Sequence, residues 1–127
     1  ALSLSATPAR EWSASGPLAE RALATARSLP DPPFPVHLAI EQAPPEHAGF
    51  GSGTQLALAT AAACLRLWGR EADIRHLAQV TGRGRRSAIG LHGFAHGGFL
   101  VDGGHEGGIA PLVARLPFPD EWRIVLA

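Results

Sequence analysis

Between Leu56 and Leu67 runs the longest apolar stretch of the chain, broken only by Thr60 and Arg66. It is too short to span a bilayer and apolar around most of its circumference, so it reads as a helix buried by the rest of the fold. Ala57, Ala59, Ala61, Ala62 and Ala63 give that helix a surface small enough to lie close against a sheet. A glycine-rich run, Gly49-Phe50-Gly51-Ser52-Gly53, precedes it, and Gly69 follows it as a C-cap. A helix from about Thr54 to Trp68 is therefore expected, and other elements must cover it.

What covers it is limited by size and composition. The chain has 127 residues, 46% of them hydrophobic and 17% charged, which suits one small domain with a real core and excludes a disordered chain. All 11 basic residues are arginine. Without lysine there is no Walker-type phosphate loop and no Schiff-base or lysine general-base chemistry. A net charge of +0 argues against nucleic acid as a partner, and no segment is long and apolar enough for a membrane span. The single cysteine, Cys64, fits a reducing, cytoplasmic setting and reads as a small apolar core residue. The chain lacks an initiator Met and opens directly on strand-like alternation, so a fragment of a longer protein is expected.

Residues 2–6 and 11–15 alternate apolar and polar around Thr7-Pro8-Ala9-Arg10 and read as a hairpin. Pro17 can open a helix running to about Ser28, with Leu18, Ala22 and Ala26 as its buried stripe; Pro30, Pro32 and Pro33 end it. Val36, Leu38 and Ile40 alternate with His37, Ala39 and Glu41 in a strand over residues 35–42. After the apolar helix, a second helix is expected over Glu71 to Val80 with Ile74, Leu77 and Ala78 inward, then a basic loop over 81–87. Residues 98–102 and 123–126 read as two further strands. Trp12, Trp68 and Trp122 read as core or domain-interface residues.

A strand, a Pro-rich turn, Gly49 to Thr54 and a helix together describe an anion site. Glycines let the backbone approach a ligand, and the helix start offers unpaired N–H groups and the positive end of its dipole. Ser52 and Thr54 add hydroxyls, and Ser52 could help place a metal ion. The alternative is a tight turn with Ser52 or Thr54 capping the helix. The dinucleotide fingerprint is not met, since glycine is missing three residues after Gly51. His47, two residues before the loop, is a candidate anion contact or acid. Arg83, Arg85 and Arg86 put three cations within four positions, able to grip phosphate or carboxylate oxygens; the alternative is a solvated basic loop. His92, His96 and His105 suggest metal by number, but the glycines between them argue against a rigid helical pair.

The run Pro45-Glu46-His47-Ala48-Gly49-Phe50-Gly51-Ser52-Gly53-Thr54 resembles the phosphate-binding motif of the GHMP small-molecule kinase superfamily. With its extension Gln55 to Ala59, with Gly82 to Ser87, and with Gly97 to Gly104, the chain looks like the beta-ribofuranosylaminobenzene 5'-phosphate synthase branch. The resemblance implies an α+β fold like ribosomal protein S5 domain 2, a mixed β-sheet packed against helices. It also implies that residues 1–127 form part of an N-terminal domain, with the first strands and a C-terminal domain outside this chain. The implied reaction joins phosphoribosyl pyrophosphate to 4-hydroxybenzoate with release of CO2 and pyrophosphate, in methanopterin biosynthesis, with Mg2+. A fragment also predicts exposed apolar surface, covered by dimerisation, strand exchange or the rest of the chain, and a homodimer is expected. Phosphate binding falls to Gly49, Phe50, Gly51, Ser52, Gly53 and Thr54, and substrate binding to His47, Gln55, Arg83, Arg85, Arg86 and Ser87.

One position departs from the pattern. Many GHMP kinases carry an Asp general base in a Ser-Gly-x-Asp segment, and Ser87-Ala88-Ile89-Gly90 ends on glycine instead. An ATP-dependent kinase would lack its base there, which favours phosphoribosyl transfer; Asp102 stays open as a displaced base. A noncatalytic binding or dimerisation module is the third expectation.

Overall fold

The computed structural model describes residues 1–45, 49, 51–104 and 107–125. The chain forms two compact units, Ala1–Arg83 and Gly84–Ala127. Helices and strands are mixed in both, giving the expected α+β class.

The first unit holds β1 (Ser3–Pro8), β2 (Ser13–Ser15), α1 (Ala19–Arg27), β3 (Val36–Gln42), α2 (Ser52–Leu67) and α3 (Ile74–Thr81). Its sheet has the order β1-β3-β2, with β3 antiparallel to β1 and parallel to β2. The sheet is mixed, as expected, but the expected hairpin is split. β1 and β2 never pair, because β3 lies between them. Val36, Leu38 and Ile40 are buried, making β3 the most apolar of the three strands and the one that gains most from the central place. Four residues separate β1 from β2, which reach about 13 Å, enough to straddle two strand spacings of about 4.8 Å. Ala9 donates its amide to the Pro35 carbonyl at 3.0 Å, closing that bridge.

On the sheet lie α1 and α2. Ala22 and Ala26 are fully buried, so α1 presents small residues to its neighbours, as its stripe predicts. α2 buries Leu56, Ala57, Leu58, Ala61, Ala62, Cys64 and Leu65. Each fully buried leucine contributes about 1.5–3 kcal/mol. Gly16 joins β2 to α1 with φ +91, and a Cβ there would stand 1.9 Å from the Ile40 carbonyl oxygen. Only glycine fits. At the far end of α2, Gly69 (φ +70) donates to the Arg66 carbonyl at 3.0 Å and Arg70 to that of Leu65 at 2.8 Å. This is the paired closure of a helix by a left-handed glycine. Arg70 then reaches the Pro30 carbonyl at 2.7 Å and that of Asp31, and stacks over Trp68, which meets Trp12 edge-on at 6.3 Å. α3 starts at Ile74 rather than at Glu71, because Asp73 caps it by accepting from the His76 amide at 2.8 Å. Leu77 and Ala78 are buried as expected.

The second unit contains α4 (Ile89–His96), β4 (Phe99–Asp102) and β5 (Leu112–Leu116). β4 falls where expected and pairs with β5 in an antiparallel ladder. The expected strand at 123–126 is not formed: residues 123–125 are irregular and Val125 is 89% exposed, while Leu126 lies outside the described residues. Leu112–Leu116 is the strand instead, its alternation fitting the pleat of β4. α4 also contradicts the expectation that glycines keep His92 and His96 off a helix. Gly90 and Gly93 each cost about 1 kcal/mol relative to alanine, and packing overrides them. Leu91 and His92 are buried, and Arg115 closes the helix end by donating to the His96 carbonyl at 2.8 Å and to that of Gly97 at 3.2 Å. Trp122 is exposed, touching Phe118 edge-on at 5.7 Å, and is not a core residue.

Candidate functional site

The glycine loop places α2. Gly49 and Gly51 take left-handed conformations (φ +76 and +65), so the chain turns sharply and enters the helix at Ser52, two residues earlier than expected. Gly51 is the N-cap, and its carbonyl accepts from Thr54 at 3.0 Å and Gln55 at 3.1 Å. It carries no side chain, so no side-chain cap closes the first turn, and that turn contains no acidic residue. Neither Ser52 nor Thr54 is the cap that the simpler reading offered. Among the described residues, the Ser52 and Gly53 amides have no partner within the helix, and they stand at the positive end of its dipole. Ser52 is buried at 8% exposure. His47 and Phe50 lie outside the described residues.

A further arginine reaches this helix start. A Cβ built on Gly53 would stand 2.9 Å from Arg21 Nη2. The guanidinium of an α1 residue therefore lies against the first turn of α2, in the space a side chain at 53 would take. Sequence reasoning missed Arg21, because its register beside Gly53 depends on how α1 packs on α2. The absence of lysine was the only hint that an arginine would lie here.

Arg83 closes the first unit, and Arg85, Arg86 and Ser87 open the second. All three guanidiniums are exposed and form no ion pair among the described residues. Ser87 is drawn to Asp102: its hydroxyl donates to Asp102 Oδ2 at 3.4 Å and accepts from the Ile89 amide at 3.3 Å. His92 is buried, with Nε2 on the Ala110 carbonyl at 2.8 Å, Nδ1 without a hydrogen-bond partner, and its ring stacked on His96 at 6.2 Å. His105 lies outside the described residues. Among those described, no group of three or more His, Cys, Asp and Glu converges as a metal site. Burial pushes the Cys64 thiol up to about 11, so it is an inert core residue, as expected. No helix among the described residues is long and apolar enough to cross a membrane.

The loop, the helix start and the chain on either side match the GHMP kinases N terminal domain over residues 17–98. The chain belongs to this family. Its relatives narrow the likeness. It is 39% identical over 105 residues to the beta-ribofuranosylphenol 5'-phosphate synthase of Methanothermobacter thermautotrophicus, an alignment covering 72% of this chain and 32% of that protein. The protein of the same name from Archaeoglobus fulgidus is 43% identical over 95 residues, covering 64% of this chain and 30% of its own length. That of Methanocaldococcus jannaschii is 47% identical over 64 residues, covering 50% and 20%. The chain thus spans about a third or less of the length of the curated relatives it matches.

Proposed function

We propose that this GHMP-family chain is part of a synthase that transfers the phosphoribosyl group of phosphoribosyl pyrophosphate to 4-hydroxybenzoate, in methanopterin biosynthesis. The carrying observation is the uncapped start of α2, with Arg21 against Gly53. Transfer to the ring carbon that bears the carboxylate forms one C–C bond, breaks the bond to CO2 and expels pyrophosphate. That gives a ribofuranosylphenol 5'-phosphate, the product in the relatives' name, which supports 4-hydroxybenzoate as the acceptor.

The residues have separate tasks. The amides of Ser52 and Gly53, with Arg21, hold pyrophosphate oxygens and stabilise the charge that grows as pyrophosphate leaves. Gln55, one turn into α2, faces the same reading as a substrate contact, as does His47 ahead of the loop. Arg83, Arg85 and Arg86 offer forked donors to the carboxylate or to the ribose phosphate. Mg2+ would be carried in on the substrate's own phosphates, and the Ser52 hydroxyl would join it. Such an ion would neutralise charge on the leaving group. Gly90 supports transfer over ATP-dependent phosphorylation, because it removes the carboxylate a kinase would use. The same reading puts the enzyme in the cytoplasm as a homodimer, an arrangement favoured by exposed Phe99, Val101 and Leu116 on one face of β4–β5.

The test is competition between the two chemistries in the full-length protein. With phosphoribosyl pyrophosphate and 4-hydroxybenzoate the expected result is product without ATP. Alcohol-dependent consumption of ATP would replace this reading with a kinase. Full activity in both Ser52→Ala and Arg85→Ala variants would point to a noncatalytic role for this surface.

A further inference from the structure

Asp102 ends β4 with its carboxylate engaged by three donors. Oδ2 accepts from the Ser87 hydroxyl at 3.4 Å and from the Ala88 amide at 3.3 Å, and Oδ1 accepts from the Gly104 amide at 3.2 Å. Ala88 is fully buried, so this bond ties the chain at a point where it cannot turn to water. Ser87 and Ala88 directly follow Arg85 and Arg86, and they lead into α4, whose positive end an anionic acceptor stabilises. A carboxylate held by two backbone amides and a hydroxyl in this way is an anchor for the chain on either side of it.

We infer that Asp102 is a positioning residue for anion binding by Arg85 and Arg86: through Ser87 and Ala88 it fixes the segment from which both guanidiniums project. This rests on the reading above that these arginines hold an anionic part of the substrate. Removing the carboxylate frees Ser87, leaves the Ala88 amide buried without its acceptor, and lets the arginine segment drift. Asp102→Asn keeps a carbonyl oxygen that can accept from both the Ser87 hydroxyl and the Ala88 amide, with its NH2 replacing Oδ1 and losing only the Gly104 amide bond, so it preserves part of the anchor.

The experiment is a coupling cycle read as binding in the full-length protein. Phosphoribosyl pyrophosphate and 4-hydroxybenzoate are titrated separately by calorimetry into wild type, Asp102→Ala, Asp102→Asn, Arg85→Ala/Arg86→Ala and the triple variant. The ligand that the arginine pair weakens should also be weakened by Asp102→Ala, by about tenfold. Asp102→Asn should lose less, and Asp102→Ala should cost nothing more once both arginines are gone. A merely structural Asp102 would weaken binding equally in both backgrounds, which overturns the inference. If the arginine pair weakens a ligand and Asp102→Ala does not, the inference fails while the arginine reading stands. If the arginine pair weakens neither ligand, both fail together. Should Asp102→Ala not fold, Ser87→Ala, which leaves the amide bonds to Asp102 in place, takes its position in the cycle with the same expected non-additivity.

Discussion

Gly53→Ala probes the proposed anion site with the least collateral change. Among the described residues, an added Cβ meets Arg21, with Nη2 at 2.9 Å and Cζ at 3.9 Å. Ordinary contact begins near 3.4 Å, so the guanidinium must retreat by about 0.5 Å, enough to stretch a good charge-assisted hydrogen bond beyond its normal range. Such a bond is worth about 1.5–3 kcal/mol, which corresponds to a loss of affinity of about ten- to a hundredfold. Stability should move the other way, since alanine in a helix is favoured over glycine by up to about 1 kcal/mol. The assay is calorimetric titration with inorganic pyrophosphate beside a thermal melt. Weaker binding with an equal or higher melting temperature is expected. Arg21→Ala should show the same loss, and adding Gly53→Ala to it should change nothing further. Wild-type affinity in Gly53→Ala would refute the reasoning, because the Arg21 guanidinium it displaces would then have no part in binding.

Four further outcomes follow from the fold. Gly16→Ala should yield little folded protein on expression, since its Cβ would collide with the Ile40 carbonyl oxygen at 1.9 Å; a soluble variant with native circular dichroism would contradict the placement of β2. Gly69→Ala should cost about 1 kcal/mol in urea unfolding, the usual penalty for a left-handed alanine with no clash, and no change in midpoint would argue against the helix closure. Asp73→Ala should also cost about 1 kcal/mol by removing the α3 cap, read as a lower thermal midpoint. Cys64 should resist thiol reagents at pH 8 until the protein unfolds. The sign of its linkage is fixed by its raised pKa: the contribution is fully present below 9.0 and is lost as pH rises to about 11, so stability falling more steeply there in wild type than in Cys64→Ala is expected.

Much of the first unit could be read from residue order, because its signals are local. The alternation of Val36, Leu38 and Ile40 and the apolar run of α2 each name an element and its buried side. Pairing was not legible. Two alternating segments joined by Thr7-Pro8-Ala9-Arg10 look like a hairpin, and only competition with the more apolar β3 splits them. α4 was hidden for a related reason: its support comes from Asp102, Arg115 and the Ala110 carbonyl, all distant in sequence, while its own glycines argue against a helix. The glycine loop ahead of α2 was legible because glycine spacing and a helix start are consecutive. Arg21 was not, since nothing in α1 marks which residue will face Gly53.

The account's central claim is that this site serves phosphoribosyl transfer. The most direct measurement is the release of labelled CO2 from carboxyl-labelled 4-hydroxybenzoate by the full-length protein, with pyrophosphate counted in the same reaction. CO2 and pyrophosphate in equal amounts, dependent on phosphoribosyl pyrophosphate and unaffected by leaving out ATP, are predicted. Retention of the label with ATP consumed, or no turnover at all in the intact protein, would contradict it.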